Sequence, residues 1–187
     1  MTSSHVHEYR THTIESAPEE SKRALRALKE AFGFIPNVAA TMASSAVLLN
    51  AFIGVFEQFH AGTLTERQRQ VLLLSNAVAN VCPWAVALHS ALSLKEGVDA
   101  DDVRALREKR LPKNVGDAAL SRFTRALIDK RGRADDDDIA AFTAAGFNHT
   151  QVFEVILGIT GSTFTNYTGN ITNPVVEDQF APHTWKP

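Results

Sequence analysis

The sequence predicts an all-α fold. Apolar residues recur at three- and four-residue spacing through most of the chain, and no convincing strand appears. Capping signals and glycines punctuate these runs, and the joining segments are short.

"SAPE" (Ser16 to Glu19) has the form of a capping box, and "SKRALRALKEAFG" follows it. There Leu25, Leu28 and Phe32 share one face, and Gly33 closes the helix. "FIPN" starts a short helix at Pro36, since proline suits a first turn. "SAVLLNAFIGVFEQFHAG" is a strongly apolar helix ending at Gly62. "TERQ" (Thr65 to Gln68) is a second capping box, opening "ERQRQVLLLSNAVANV". Its Val71 to Val81 stretch is apolar or small throughout, so it is expected to be central and buried on most sides. The next helix begins near Cys82 and Pro83 and stops at Gly97. Asp99 caps "ADDVRALREK", and Pro112 and Gly116 separate it from "DAALSRFTRALIDK", which ends near Gly132. "DDDDIAAFTAAG" follows, its acidic start favoured by the helix dipole. Asn148 and Gln151 frame another box before "VFEVILGITGSTFTNYTG". The tail after Thr172 reads as irregular and is expected to pack through Phe180 and Trp185. The total is roughly eight or nine helices. They form one expected domain over 1–187, with its core at about 32–172 and both ends peripheral.

With 19 basic and 21 acidic side chains and no basic run, nothing points to nucleic acid or an anionic membrane. No stretch approaches the roughly 20 apolar residues that span a bilayer. The polar N-terminus lacks the core of a signal peptide, and one cysteine cannot form an internal disulfide. The expected location is the cytoplasm. The Asn-x-Thr triplets at Asn148, Asn166 and Asn170 are then chance matches.

Chemistry concentrates in "NVCPWAVALHS", Asn80 to Ser90. Pro83 belongs in a first turn, which places Cys82 at or beside the N-cap, where free N–H groups and the dipole favour a thiolate. His89 is seven residues on, a rotation of about 700°, so the two share a face about 10 Å apart along the axis. A buried small cysteine and a satisfied core histidine are the plainer reading. Ala85, between them, cannot close a disulfide with Cys82. His5, His7 and His12 have a spacing unsuited to a helical metal site and are expected to be solvated polar residues at the surface. His60 and His149 stand at helix ends, where capping or solvation accounts for them. No metal, phosphate-loop or triad motif is present, and no cofactor is called for.

These residues resemble the AhpD-like alkylhydroperoxidase / carboxymuconolactone decarboxylase family. The stretches that carry the likeness are "FGFIPNVAATMASSAVLLNAF" (32–52), "GTLTERQRQVLLLSNAVANVCPWAVALHSALSLKEG" (62–97) and "ALSRFTRALIDKRGRADDDDIAAFTAAGFNHTQVFEVI" (119–156). The resemblance implies an all-helical fold assembling as a dimer, trimer or hexamer. In peroxidase members a glutamate precedes Cys-x-x-Cys by twelve residues, and a histidine follows four residues after the second cysteine. The second cysteine attacks the peroxide and the first resolves it, while glutamate and histidine relay protons. Carried over, Cys82 matches the first cysteine and His89 the histidine, but Ala85 replaces the second cysteine and Gln70 the glutamate. An amide cannot accept a proton at neutral pH. Glu66, one turn upstream on the same face, is a substitute to test; its plainer role is the acid of a helix N-terminus.

The two-cysteine peroxide cycle is therefore excluded, and activity is open between three readings. One is a one-cysteine thiol peroxidase, an antioxidant oxidoreductase in which an organic peroxide oxidises Cys82 and an external thiol reduces it. Another is a non-redox decarboxylase or isomerase acting on a small organic acid or lactone, with His89 as acid or base and Arg67 and Arg69 the nearest anion-binding candidates. The third is a non-catalytic oligomeric binder whose pocket is lined by Phe52, Phe56, Phe59, Trp84 and Phe164.

Overall fold

The computed structural model describes residues 9–187; His5 and His7 lie outside them. Among the described residues the chain forms nine α-helices and no strand. They are α1 (Glu19–Phe32), α2 (Asn37–Met42), α3 (Ala46–His60), α4 (Glu66–Ala79), α5 (Pro83–Lys95), α6 (Ala100–Arg107), α7 (Val115–Asp129), α8 (Asp136–Ala144) and α9 (His149–Thr172). A short 3₁₀ helix, Asp178–His183, follows in the tail.

Capping chemistry sets most of the starts. Thr65 accepts the Gln68 N–H and the Gln68 side chain accepts the Thr65 N–H; Asn148 and Gln151 do the same for α9, and Asp135 and Asp138 for α8. Asp99 caps α6 by accepting the Asp101 N–H. The box expected at Ser16 does not form. It would place Pro18 inside the first turn, and proline drives the residue before it out of the helical region. The Ser16 hydroxyl instead accepts the Thr13 N–H, and α1 begins at Glu19 behind Pro18. Pro36 likewise stands at the N-cap of α2, one residue before the helix proper.

α4 is the centre of the molecule. Every residue from Gln70 to Val78 is buried, because α5, α6, α7 and α9 all pack against this helix. Val81 lies outside that burial, at 41% exposure. α4 ends in a paired backbone turn, Cys82 N–H to Ala77 C=O and Val81 N–H to Val78 C=O. That turn needs a left-handed residue, and Val81 supplies it at φ 51°, a conformation costly for a β-branched side chain.

Two apolar clusters form. The larger joins α4, α5 and α7 and includes the stacked rings of Phe123, Phe142 and Phe147. The smaller gathers Leu25 and Leu28 of α1, Met42 of α2 and Leu49 and Phe52 of α3. Each fully buried leucine contributes about 1.5–3 kcal/mol. α9 lies against α2, α3, α4 and α5. Its glycines allow that approach: a Cβ on Gly158 would stand 2.7 Å from the Phe59 ring, and one on Gly169 2.8 Å from the Cys82 sulfur. The tail packs through buried Phe180 and partly buried Trp185.

Candidate functional site

A cavity of about 370 Å³ opens where the two clusters meet. Its wall takes Leu28 and Phe52 from the smaller cluster and Phe59, Leu73 and Trp84 from the larger. Phe56 completes the aromatic side, while Gly158, Gly161, Ser162 and Thr165 of α9 form a side of small residues. The polar residues of α3, α4 and α5 that reach it are His60, Glu66, Gln70, His89 and Lys95, joined by Glu96 just past the end of α5. Phe164 is not in the wall; it packs against the smaller cluster.

Three of these residues form a chain. Gln70 Nε2 donates to Glu66 Oε1 at 2.7 Å, and Gln70 Oε1 meets His89 Nδ1 at 3.0 Å. The carboxylate only accepts, so it fixes which end of the amide is nitrogen. The amide oxygen then faces His89, and an oxygen accepts only. Nδ1 must therefore carry the proton, which leaves Nε2 as a lone-pair acceptor. Burial holds His89 down to about 4, with the charge of Glu66 acting weakly the other way. The imidazole is neutral at pH 7.

Arg69 anchors the far end. It bonds Glu66 Oε2 at 3.0 Å and the carbonyls of His60 and Gly62. His60 donates from Nδ1 to the Phe56 carbonyl, which presents Nε2 to Glu66 at 3.8 Å. It thus caps the end of α3, as its position suggests, and also faces the cavity. Arg67 turns away, to buried Asp117 and the Gly97 carbonyl.

Cys82 stands apart from this group. It is the N-cap of α5, as expected, but it is fully buried and absent from the cavity wall. Burial pushes its thiol up, and the N–H groups of Ala85 and Trp84 offset only part of that. Ala85 is also fully buried. The structure therefore brings Glu66, Gln70 and His89 together and does not bring Cys82 to them. His12 is held by the Ser16 carbonyl and the Ser44 hydroxyl, and no group suited to a metal ion occurs among the described residues. Nor is any described helix long and apolar enough to cross a membrane.

Residues 46–129 match the sequence model of the carboxymuconolactone decarboxylase family. The whole fold matches a peroxidase-related protein with an alkylhydroperoxidase AhpD core from Ralstonia eutropha JMP134, with TM-score 0.78, 21% identity, and 92% and 93% of the two chains covered. Residues 46–129 thus carry the sequence pattern of that family, and the chain as a whole has the AhpD-like fold. A peroxidase-related protein from Silicibacter sp. TM1040 has the same fold (TM-score 0.76, 17% identity, 96% and 97% covered). So does a cysteine-to-alanine variant of the debrominase Bmp8 in complex with 2,3,4-tribromopyrrole (0.72, 17%, 88% and 89% covered). A comparison with curated proteins returned no match.

Within this AhpD-like fold Glu66 lies one helical turn before Gln70, the position the resemblance assigns to a glutamate. Gln70 links Glu66 to His89. Among the contributors to the cavity that the sequence does not reveal are Ser162 and Glu177. Ser162 is one small residue among many on α9, and only the packing shows that it faces inward. Glu177, in the tail, accepts the Asn37 N–H at 2.7 Å and the Trp84 indole N–H at 3.0 Å, and so fixes a cavity wall. No local sequence signal marks a contact between residues so far apart.

Proposed function

We propose that this AhpD-like protein has left thiol–peroxide chemistry and carries out non-redox proton transfer on a small organic molecule, with His89 Nε2 as the base. The observation that carries this reading is the Glu66–Gln70–His89 chain, which gives a neutral imidazole with its free lone pair at a cavity. Gln70 fixes the tautomer and orientation, and Glu66 with Arg69 fixes Gln70. A one-cysteine peroxidase has less support, since Cys82 is buried, its thiol is pushed up, and it lies off the cavity. A small organic acid as substrate also has less support, because Arg67 and Arg69 are both engaged elsewhere. The tribromopyrrole held by a protein of this fold favours a small ring molecule as the ligand class.

The test is hydrogen–deuterium exchange at carbon in small neutral cyclic ketones and phenols in D₂O, followed by NMR. Exchange lost in His89→Ala and kept in Cys82→Ser is expected. Exchange indifferent to His89→Ala, or fast hydroperoxide consumption lost in Cys82→Ser, refutes the reading.

The protein is also proposed to pair with a second copy of itself. Phe153, Ile156, Tyr167 and Ile171 are exposed along α9, and this charge-free row can meet its own copy without like-charge repulsion. Sedimentation should show a dimer or larger, reduced by Tyr167→Lys together with Ile171→Lys.

A further inference from the structure

We propose that the cavity selects neutral aromatic molecules that carry one N–H or O–H donor and one acceptor, and that His89 Nε2 and Ser162 Oγ are its two polar contacts. The assignment rests on the reading of His89 given above, but it concerns recognition and stands or falls separately from proton transfer.

Ser162 supplies the independent observation. It is 5% exposed, it lines the cavity, and its buried hydroxyl has no hydrogen-bond partner. The threonine hydroxyls near it on α9 behave differently, although Asn166, one turn on, is buried and unpaired as well. Thr160, Thr163 and Thr165 each donate to a carbonyl one turn back, which satisfies them. Ser162 alone among these hydroxyls is unpaired, and its residue lines the cavity. A buried hydroxyl left unpaired is destabilising, and a ligand acceptor would satisfy it.

The other pole has the opposite sense. With its proton committed to Gln70, His89 offers only a lone pair at Nε2. A ligand must bring the donor there. Charge completes the specification. Glu66 and Glu96 reach the cavity, against Lys95 as its only lysine or arginine. Lys95 is six residues beyond His89 on α5, about 9 Å along the axis. A carboxylate bound at His89 would face a lone pair beside Glu66 with no cation at hand. The walls of Phe52, Phe56, Phe59 and Trp84 suit a flat ring, and about 370 Å³ is the lower range of small-molecule sites.

The experiment is equilibrium dialysis of the full chain at pH 7 with naphthalene, 2-naphthol, 6-acetyl-2-naphthol and 2-naphthoate. The naphthol should bind about tenfold tighter than naphthalene, the value of one net hydrogen bond, and the naphthoate weakest. His89→Leu should remove the advantage of the naphthol and leave naphthalene unchanged. Ser162→Ala should weaken the acetyl compound several-fold and leave the naphthol unchanged. The wild-type series needs no variant to fold. Naphthoate binding as tightly as the naphthol, equal binding of naphthol and naphthalene, or an effect of Ser162→Ala on all probes alike overturns the proposal. So does no binding of any probe at about 1 mM, the weak limit of a specific site. If the predicted selectivity is found but no carbon-bound hydrogen exchanges, proton transfer is refuted and this assignment stands.

Discussion

Replacing Gln70 by glutamate would put a carboxylate where an amide now accepts the His89 Nδ1–H at 3.0 Å. In the wild-type chain burial holds His89 down to about 4, against an ordinary value of 6.5. As pH falls, the unfolded chain therefore takes up this proton first. The corresponding stability is whole above pH 6.5 and is lost as pH falls to about 4, a loss of about 3 kcal/mol. In Gln70→Glu an imidazolium would have an anion roughly 4 Å from its charge, worth about 4 kcal/mol at an effective dielectric near 20. Glu66 opposes the new charge, but its side chain is 37% exposed and can turn to water. His89 should then titrate close to its ordinary value, and most of the acid loss should disappear. The assay is an NMR titration of the His89 ring, with thermal melts at pH 7 and pH 5. The variant should lose stability at pH 7 through the two carboxylates, and lose less than the wild type between pH 7 and pH 5. A His89 titration unmoved by Gln70→Glu would refute the hydrogen-bond chain, and with it the assignment of the Nδ1 proton.

Three further outcomes follow from the packing. Gly169→Ala should destabilise by about 1–3 kcal/mol, because the added methyl meets the Cys82 sulfur at 2.8 Å; adding Cys82→Ala should recover most of that in a melting experiment. Glu177→Gln should cost about 1–2 kcal/mol and alter Trp84 fluorescence, since an amide cannot accept the Asn37 and Trp84 N–H groups as a carboxylate does. Val81→Asn should raise the melting temperature by relieving up to about 1 kcal/mol of left-handed strain, with the α4–α5 turn intact by NMR.

The helices were readable from sequence because local chemistry fixes their ends. Thr65 with Gln68, Asn148 with Gln151, and Asp99 each bond backbone within their own turn, so short spacing is enough to find them. Ser16 failed for an equally local reason, the proline two residues on. The end of α4 was hidden differently, since valine does not advertise the left-handed turn that Val81 makes. The acid of the candidate site was within reach: Glu66 and Gln70 are one turn apart on one helix, and that spacing survives folding. What joins Gln70 to His89 is the packing of α4 on α5, and what brings Ser162 to the same cavity is the packing of α9.

Cys82 shows where helical arithmetic stops. Seven residues place two side chains on one face only when both lie in the helix. Cys82 is the N-cap, with φ −107° and ψ 98°, so its side chain does not follow the rotation of the residues after it. Its sulfur lies instead against Gly169 of α9, in a space open only because that residue lacks a Cβ. His89, inside the helix, follows the rotation and reaches the cavity. The two residues that the sequence pairs most readily thus belong to different environments. One is a thiol whose ionisation burial opposes, the other an imidazole in the cavity wall that Gln70 holds through Nδ1. A catalytic role for the pair would require the sulfur to leave the contact with α9. Alkylation of Cys82 should therefore be slow in the native chain at neutral pH and should speed up on unfolding; fast native labelling would return the cysteine to the site.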